Sequence, residues 1–382
     1  MRNRIAALLL LLLATQLGSL VSPAYACGCG AMVPDGSTRI GVSRETSAVH
    51  WDGRTEDIVM RFTVGGNARR AAWIMPVPTR ATVELGDGDL FHELDRLTRP
   101  ESRARYHFLP DSGDWPFSTG SRDGAAEAPA PGAGAPVGVV GREQLGDFDV
   151  ARLTATDPDA LRQWLESNGF TMPDALATEV RPYVDQKWEY VAVRLAPRKQ
   201  GSVLYGVLDP LRIRFDSQRL VYPMRLSRMA KTPQSLGLYV LADHRMEPAS
   251  PIGGSAPKVT FAGKVAGTDE LAPLTGGRET FLTAIDQEFP DPGRISGDHE
   301  LRAAASDTPY RRAVYHDELL MVGGFPAWML ALGAVLVVVA AGTLVWLRRR
   351  PADAPDVPAA SGAPAVPDAP AGPPAGPPAG TA

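Results

Sequence analysis

The sequence predicts an α+β fold: a sheet-rich extracytoplasmic region with packed helices, followed by one C-terminal transmembrane helix. Three observations carry this. Apolar residues alternate with period two over short runs such as Asp57 to Val64, where Ile58, Met60, Phe62 and Val64 share one side. Helical spacings of three and four recur in only a few segments, as at Leu90, Leu94 and Leu97. Near the C-terminus, Phe325 to Leu347 runs for 23 residues without a charge, and a helix needs about 20 to cross a bilayer core of about 30 Å.

The elements follow in chain order. Arg2 and Arg4 precede the uncharged run Ile5 to Leu13. Pro23 breaks the helix, and Ala24-Tyr25-Ala26 offers small residues at the two positions a signal peptidase reads. Residues 1–26 are therefore predicted to be a signal peptide, cleaved after Ala26. Lipidation of Cys27 would need an aliphatic residue where Ala24 stands. Residues 27–117 read mainly as strands: Ser47 to Trp51, a hairpin turn at Asp52-Gly53, Asp57 to Val64, and Ala71 to Met75, stopped by Pro76 and Pro78. Trp73 is read as a core residue ending its strand. A helix is predicted from Asp87 to Leu97, capped by Asp87 or Asp89. In residues 118–138, 14 of 21 positions are Gly, Ala or Pro, a composition that predicts a linker.

Residues 139–318 mix both types of element. Strands are predicted at Val137 to Val140 and Phe148 to Leu153. Asp157-Pro158 opens a helix with Leu161, Trp164 and Leu165 as its stripe, ended by Asn168-Gly169. Pro173 to Val184 reads as a second helix. Strands at Trp188 to Leu195, Leu211 to Phe215, Leu220 to Leu226, Leu236 to Leu241 and Val259 to Phe261 complete an antiparallel sheet. Residues 325–347 follow as the transmembrane helix, with Trp328 and Trp346 near its ends. Arg348, Arg349 and Arg350 mark its cytoplasmic side. Residues 348–382 are then a cytoplasmic, disordered tail. From Pro351 onward it holds 10 Pro and 11 Ala among 32 residues, too little bulky apolar surface to fold.

Charge excludes one class of partner. The net charge is -4, and only 5 of the 39 basic residues are Lys. There is no basic excess for phosphate, so nucleic acid is not an expected partner.

Several motifs stand in a recognisable order. They are Cys27-Gly28-Cys29-Gly30-Ala31, Trp51 to Met60, Ala72-Trp73-Ile74-Met75-Pro76-Val77-Pro78 and Asp89-Leu90-Phe91-His92-Glu93-Leu94. Tyr190 to Leu195, Pro210 to Phe215 and Leu220 to Leu226 come later. Over about residues 27–245 this order resembles the DUF2330 family, exported bacterial proteins of unknown function. The wealth of Ala, Arg and Pro is similar to actinobacterial members. The resemblance implies location and architecture and supplies no mechanism.

Catalytic templates fail. His92-Glu93-Leu94-Asp95-Arg96 starts like the zinc helix HExxH, but guanidinium at position 96 cannot replace the second imidazole. Gly253-Gly254-Ser255 lacks the closing glycine of a nucleophile elbow, and no phosphate loop occurs. The six histidines are scattered. Asp286, Glu288, Asp291, Asp298, His299 and Glu300 read as a solvated acidic loop, without the ordered spacing of a calcium loop.

Cys27 and Cys29 are the only cysteines. Export favours a disulfide. One intervening residue makes a small ring, with Cβ atoms about 6.6–7 Å apart in extended chain, so the bond is strained or intermolecular. The alternative uses the new terminal amine, two thiolates and deprotonated amides to hold Cu or Ni. A redox role lacks the C-x-x-C helix start. The expectation is an uncharacterised cell-envelope protein, a surface-anchored binding or scaffold domain rather than an enzyme, without cofactor. Its partners are the lipid bilayer, through one span, and an envelope protein or ligand. The alternatives are an envelope enzyme with a site assembled only in the fold, and a metal or redox module at Cys27-Gly28-Cys29.

Overall fold

A computed structural model describes residues 29–36, 38–111, 144–145, 148–153, 158–196 and 202–349. The signal segment 1–26, Cys27, the predicted linker 118–138, the strand read at Val137 to Val140, Arg350 and the rest of the tail lie outside the described residues. The chain divides into two units: residues 1–105 with 124–316, and residues 106–123 with 317–382.

The first half supplies β1 (Ala31–Pro34), β2 (Ile40–Trp51), β3 (Thr55–Gly66), β4 (Ala71–Val77), β5 (Thr82–Leu85), helix α1 (Asp89–Thr98) and β6 (Glu101–His107). Next come β7 (Gln144–Leu145), β8 (Phe148–Leu153), α2 (Pro158–Ser167), α3 (Asp174–Asp185) and β9 (Glu189–Leu195). Then follow β10 (Gly206–Val207), β11 (Leu211–Asp216), β12 (Leu220–Tyr222), β13 (Gln234–Ala242), β14 (Met246–Pro248), β15 (Lys258–Val265), the short α4 (Ala272–Thr275) and β16 (Thr280–Phe289). The chain ends with β17 (His299–Ala303), β18 (Tyr310–Arg311), β19 (Ala313–Leu319), β20 (Met321–Val322), β21 (Phe325–Pro326) and α5 (Ala327–Arg349).

Two large sheets dominate the first unit, beside a three-stranded sheet of order β12-β17-β14. The larger runs β18-β15-β16-β13-β2-β3-β11-β5, with β10 also paired to β3. The smaller runs β1-β4-β9-β8-β7. Strands from before and after residues 118–138 thus share both sheets. Alternation on β2 and β3 sets the inner face: Glu45 lies opposite Phe62, Ser47 opposite Met60, Val49 opposite Ile58 and Trp51 opposite Glu56. Val49, Ile58, Met60 and Phe62 join one apolar core with Trp73, Met75, Val191 and Val193 of the smaller sheet. The Phe62 and Trp73 rings sit 5.3 Å apart there.

Both outer faces carry helices. Ala72, Ile74, Tyr190 and Ala192 pack on Leu161 and Leu165 of α2 and on Leu176, Val180 and Tyr183 of α3. On the far side, Ala48 and Val59 share a core with Leu90, Phe91 and Leu94 of α1. The result is helix, sheet, sheet, helix. A sheet covered on both faces demands continuous apolar runs, and every residue of β4 is buried.

The larger sheet is not the antiparallel one read from sequence, because β13 runs parallel to β2. The structure also corrects four local readings. Trp73 lies in mid-strand, and β4 continues through Pro76 to Val77. Strand β1 begins at Ala31, opposite Ile74, so among the described strands none pairs with Pro76 on that side and a missing N–H is tolerated. The strand from Leu220 stops at Tyr222, because Pro223 removes a donor, and Arg225–Met229 is a 3-10 turn. Asp286 and Glu288 belong to β16, where Ile285, Gln287 and Phe289 alternate inward. The N-terminus of α1 is Gly88 without a side-chain cap, although Asp87 accepts from Asp89 N at 2.9 Å.

One glycine decides how β1 docks. Gly30 has φ of +145°, and a Cβ there would stand 2.4 Å from the Ile74 carbonyl oxygen. In the second unit, α5 starts two residues after the predicted Phe325, since Phe325 and Pro326 close a hairpin with β20. Its 23 residues are long and apolar enough to cross a membrane.

Replacing Trp73 by Ala should cost about 3–5 kcal/mol, because it removes the ring that fills the space between the sheets. Urea unfolding of the purified protein in detergent measures it. Tyr205→Ala, at a side chain 77% exposed, should stay within about 0.5 kcal/mol.

Candidate functional site

Strand register gathers four turns at one end of the sandwich. Val77 pairs with Glu189, so Pro78-Thr79 and Gln186 to Trp188 emerge side by side. Thr55 pairs with Asp216, so the Asp52-Gly53-Arg54 turn meets Asp216 to Arg219. Between them lies a cleft of about 730 Å³ lined by Arg54, Thr79, Gln186, Trp188, Gln218 and Arg219. A second cavity, of about 370 Å³, shares Gly53, Gln218 and Arg219 and extends toward Trp51, His244 and Arg302.

Each turn is fixed by its own hydrogen bonds. Asp52 Oδ1 accepts from Arg54 N at 3.0 Å and Thr55 N at 2.7 Å, while Gly53 takes φ of +92°. The bond from Thr55 N holds the Asp52 carboxyl below the usual carboxylate range. Ser217 N donates to Arg54 O at 2.7 Å, and Thr79 Oγ1 donates to Asp216 O at 2.7 Å. Helix α3 ends in a two-bond cap: Trp188 N donates to Tyr183 O at 2.9 Å and Lys187 N to Val184 O at 2.9 Å. That cap places its central residue at positive φ, where glycine is usual. Here it is Lys187, at φ of +59°, the one non-glycine residue with positive φ among those described.

The cleft chemistry is polar with one aromatic wall. Arg219 pairs with Glu300 at 2.9 Å. Arg54 is exposed and makes no ion pair among the described residues. Gln186 and Gln218 add exposed amides. Such a set binds carboxylate, phosphate or hydroxyl groups against the Trp188 ring.

A second polar group lies between the sheets. Glu45, Ser47 and Tyr222 are buried together, with Tyr222 Oη donating to Glu45 Oε1 and sharing a 2.6 Å bond with Ser47 Oγ. Cys29 is also fully buried, its thiol 3.6 Å from Met60 Sδ. Burial pushes the Glu45 carboxyl up to about 7, and hydrogen bonds from Cys29 and Ser47 pull it partly back. Glu56 is raised well above its ordinary value by burial, against one bond from Val221 N at 3.1 Å. His299 is pushed down to about 4 by burial. Gln287 Nε2 donates to Gly253 O and Ser255 O, so its Oε1 accepts from His299 Nε2 at 2.7 Å. With Glu45, Ser47 and Tyr222 each at most 1% exposed, this knot offers no entry for a substrate.

Of the residues singled out from sequence, the structure describes Cys29, Arg348 and Arg349. Ala26, Cys27 and Arg350 lie outside the described residues, and Arg348 and Arg349 occupy the last turn of α5. Cys29 is in the core. Among the described residues, no group of three or more His, Cys, Asp and Glu side chains is placed to hold a metal. Sequence reading caught the Asp52-Gly53 turn and missed Arg54, Trp188 and Arg219. Their signals were local turns at 52–54, 186–188 and 216–219, with nothing to say that they meet.

Glu45 yields a pH test. Folded, it keeps its proton to about pH 7; at its ordinary value of 4.5 it would lose it earlier. The folded chain holds the extra proton between these values, so this term falls as pH rises from 4.5 to 7. His299 has the opposite sign, because the unfolded chain binds its proton between pH 6.5 and about 4. In Glu45→Gln the falling term is gone. Stability of the variant minus wild type should therefore grow by on the order of 3 kcal/mol across that window. Urea unfolding at each pH reads this, and a flat difference would mean Glu45 is ionised in the fold.

The comparisons bear on the same region. The family described as "Uncharacterized protein conserved in bacteria (DUF2330)" matches residues 23–302, which include every residue lining the cleft. No curated protein matches. Among solved structures, the crystal structure of baculovirus P35 is similar at 8% identity and a TM-score of 0.28, over 70% of this chain and 95% of that chain. So weak a likeness carries no argument. The extent of the family match settles the affiliation: the chain belongs to DUF2330, a family of uncharacterised proteins conserved in bacteria.

Proposed function

We propose that this chain is an exported binding protein of the bacterial envelope, held to the membrane by α5, with the cleft at the hairpin end as its ligand site. The observation that carries the reading is the cleft itself: a guanidinium at Arg54 without an ion pair among the described residues, a second at Arg219, two amides and the Trp188 wall. The ligand is a small molecule bearing carboxylate, phosphate or several hydroxyl groups. Lys187 supports the location. A non-glycine residue held at φ of +59° costs roughly 1 kcal/mol, and such strain clusters at functional positions. Export rests on the signal segment 1–26 with cleavage after Ala26, and orientation on Arg348, Arg349 and Arg350.

Orientation is tested with a reporter active only in the cytoplasm. Fused after Ala382 it should be active, and fused after Ser306 it should be silent. The reverse pattern would overturn the topology.

The cleft is tested by thermal shift against a panel of carboxylated, phosphorylated and polyhydroxylated small molecules. At least one should bind wild type and lose tenfold or more in affinity in Arg54→Ala. Ligands that bind both proteins equally, or a panel without any ligand, would remove the cleft as the site.

A further inference from the structure

The second unit carries more apolar surface than a span requires. Helix α5 has 23 residues, about 34 Å at 1.5 Å per residue, which by itself crosses a core of about 30 Å. The uncharged stretch nevertheless begins at Leu319, eight residues before the helix. Those residues form the β20–β21 hairpin, where Met321 pairs with Pro326 and Val322 with Phe325 around Gly323 and Gly324, both at positive φ. Phe325 is 63% exposed, and Met321 and Val322 are exposed beside it.

A second apolar segment of the same unit meets this hairpin. Leu320 N donates to His107 O at 2.9 Å, and Ala327 N donates to Leu320 O at 2.8 Å. Two backbone hydrogen bonds thus link residue 107 to the first residue of α5. Flanking His107 are Tyr106, Phe108 and Leu109, all exposed, the last by 69%. His107 Nδ1 and the Leu109 carbonyl lie 2.7 Å apart, which holds the segment's turn. Six large apolar side chains from two distant stretches therefore crowd the start of a helix built to enter lipid. Water is a poor solvent for such a cluster, and the headgroup zone suits aromatic rings.

We propose that Tyr106, Phe108, Leu109, Met321, Val322 and Phe325 form a collar seated in the interfacial layer of the bilayer around the mouth of α5. Its partner is the lipid surface, and the collar is a contact separate from the span. It orients the second unit at the membrane instead of leaving α5 as a free tether. The inference rests on the reading of α5 as a span, so the experiment carries a control for that.

A benzophenone amino acid is placed at Phe108, at Phe325, at Leu336 within α5, or at Tyr205 in the first unit, each in the full chain. The proteins are reconstituted into phosphatidylcholine–phosphatidylglycerol vesicles and irradiated, and adducts are identified by mass. Lipid adducts at Phe108, Phe325 and Leu336 but not at Tyr205 are expected. Labelling at Leu336 without lipid adducts at Phe108 would overturn the collar and leave the span. Adducts from Phe108 to a second copy of the chain would overturn it in favour of a protein contact. Failure at Leu336 as well would overturn the span, and the collar with it.

Discussion

Strand β4 has no polar side chain on either face, and the layering follows from that. Ala72 and Ile74 must be covered on one side, Trp73 and Met75 on the other. One cover is the larger sheet and the other is the helix pair α2 and α3. Strands β2 and β3 of the first cover precede β4 directly, whereas α2 and α3 of the second come more than eighty residues after it in the chain. Once β9 lies antiparallel to β4, with Val77 against Glu189, the turn after one strand and the turn before the other must share an end. The same logic on β3 and β11 brings Arg54 beside Ser217. The cleft is thus a product of register, made by the ends of the β3–β11 and β4–β9 strand pairs.

The interface between the sheets tolerates polar groups because they are neutral there. Glu45 keeps its proton to about pH 7, and His299 refuses one until about pH 4, so neither carries a charge in the core through most of the interval between. Each is also held by a specific partner, Tyr222 and Gln287. Their effects on stability run in opposite directions with pH, so the intact core hides a sensitivity that either one alone would show. Glu56 adds to the acidic side, and its Oε1 finds no hydrogen-bond partner among the described residues.

Much of the secondary structure was legible because its signals are local. Period-two alternation located β3, and helical spacing with Asn168-Gly169 located α2 and its end. Misreadings arose where a long-range fact overrode a local one. Pro76 looks like a stop until the pairing with β1 is seen to reach only Ile74. Asp286 and Glu288 look like solvated loop until Gln287 is seen pointing inward to His299. The candidate site was almost invisible. Arg54, Trp188 and Arg219 are separated by more than thirty residues at each step, and each stands in an ordinary turn. Only the pairings of β3 with β11 and β4 with β9 unite them, and no single window of sequence contains a pairing of that range.

The family match ends at residue 302, before α5 and before the hairpin that precedes it. The matched residues include the sandwich with its cleft and buried polar knot, and the long apolar helix α5 lies outside the match. The two call for different physics. The cleft depends on strand register, and changes in α5 leave that register untouched. The apolar residues around the start of α5 owe nothing to the sandwich core, because none of them belongs to its three apolar clusters. Among the described residues nothing covers them, and a lipid surface would bury them. On the proposed span, a bilayer entered at Ala327 is the nearest such surface, and the proposed collar follows from where that span begins.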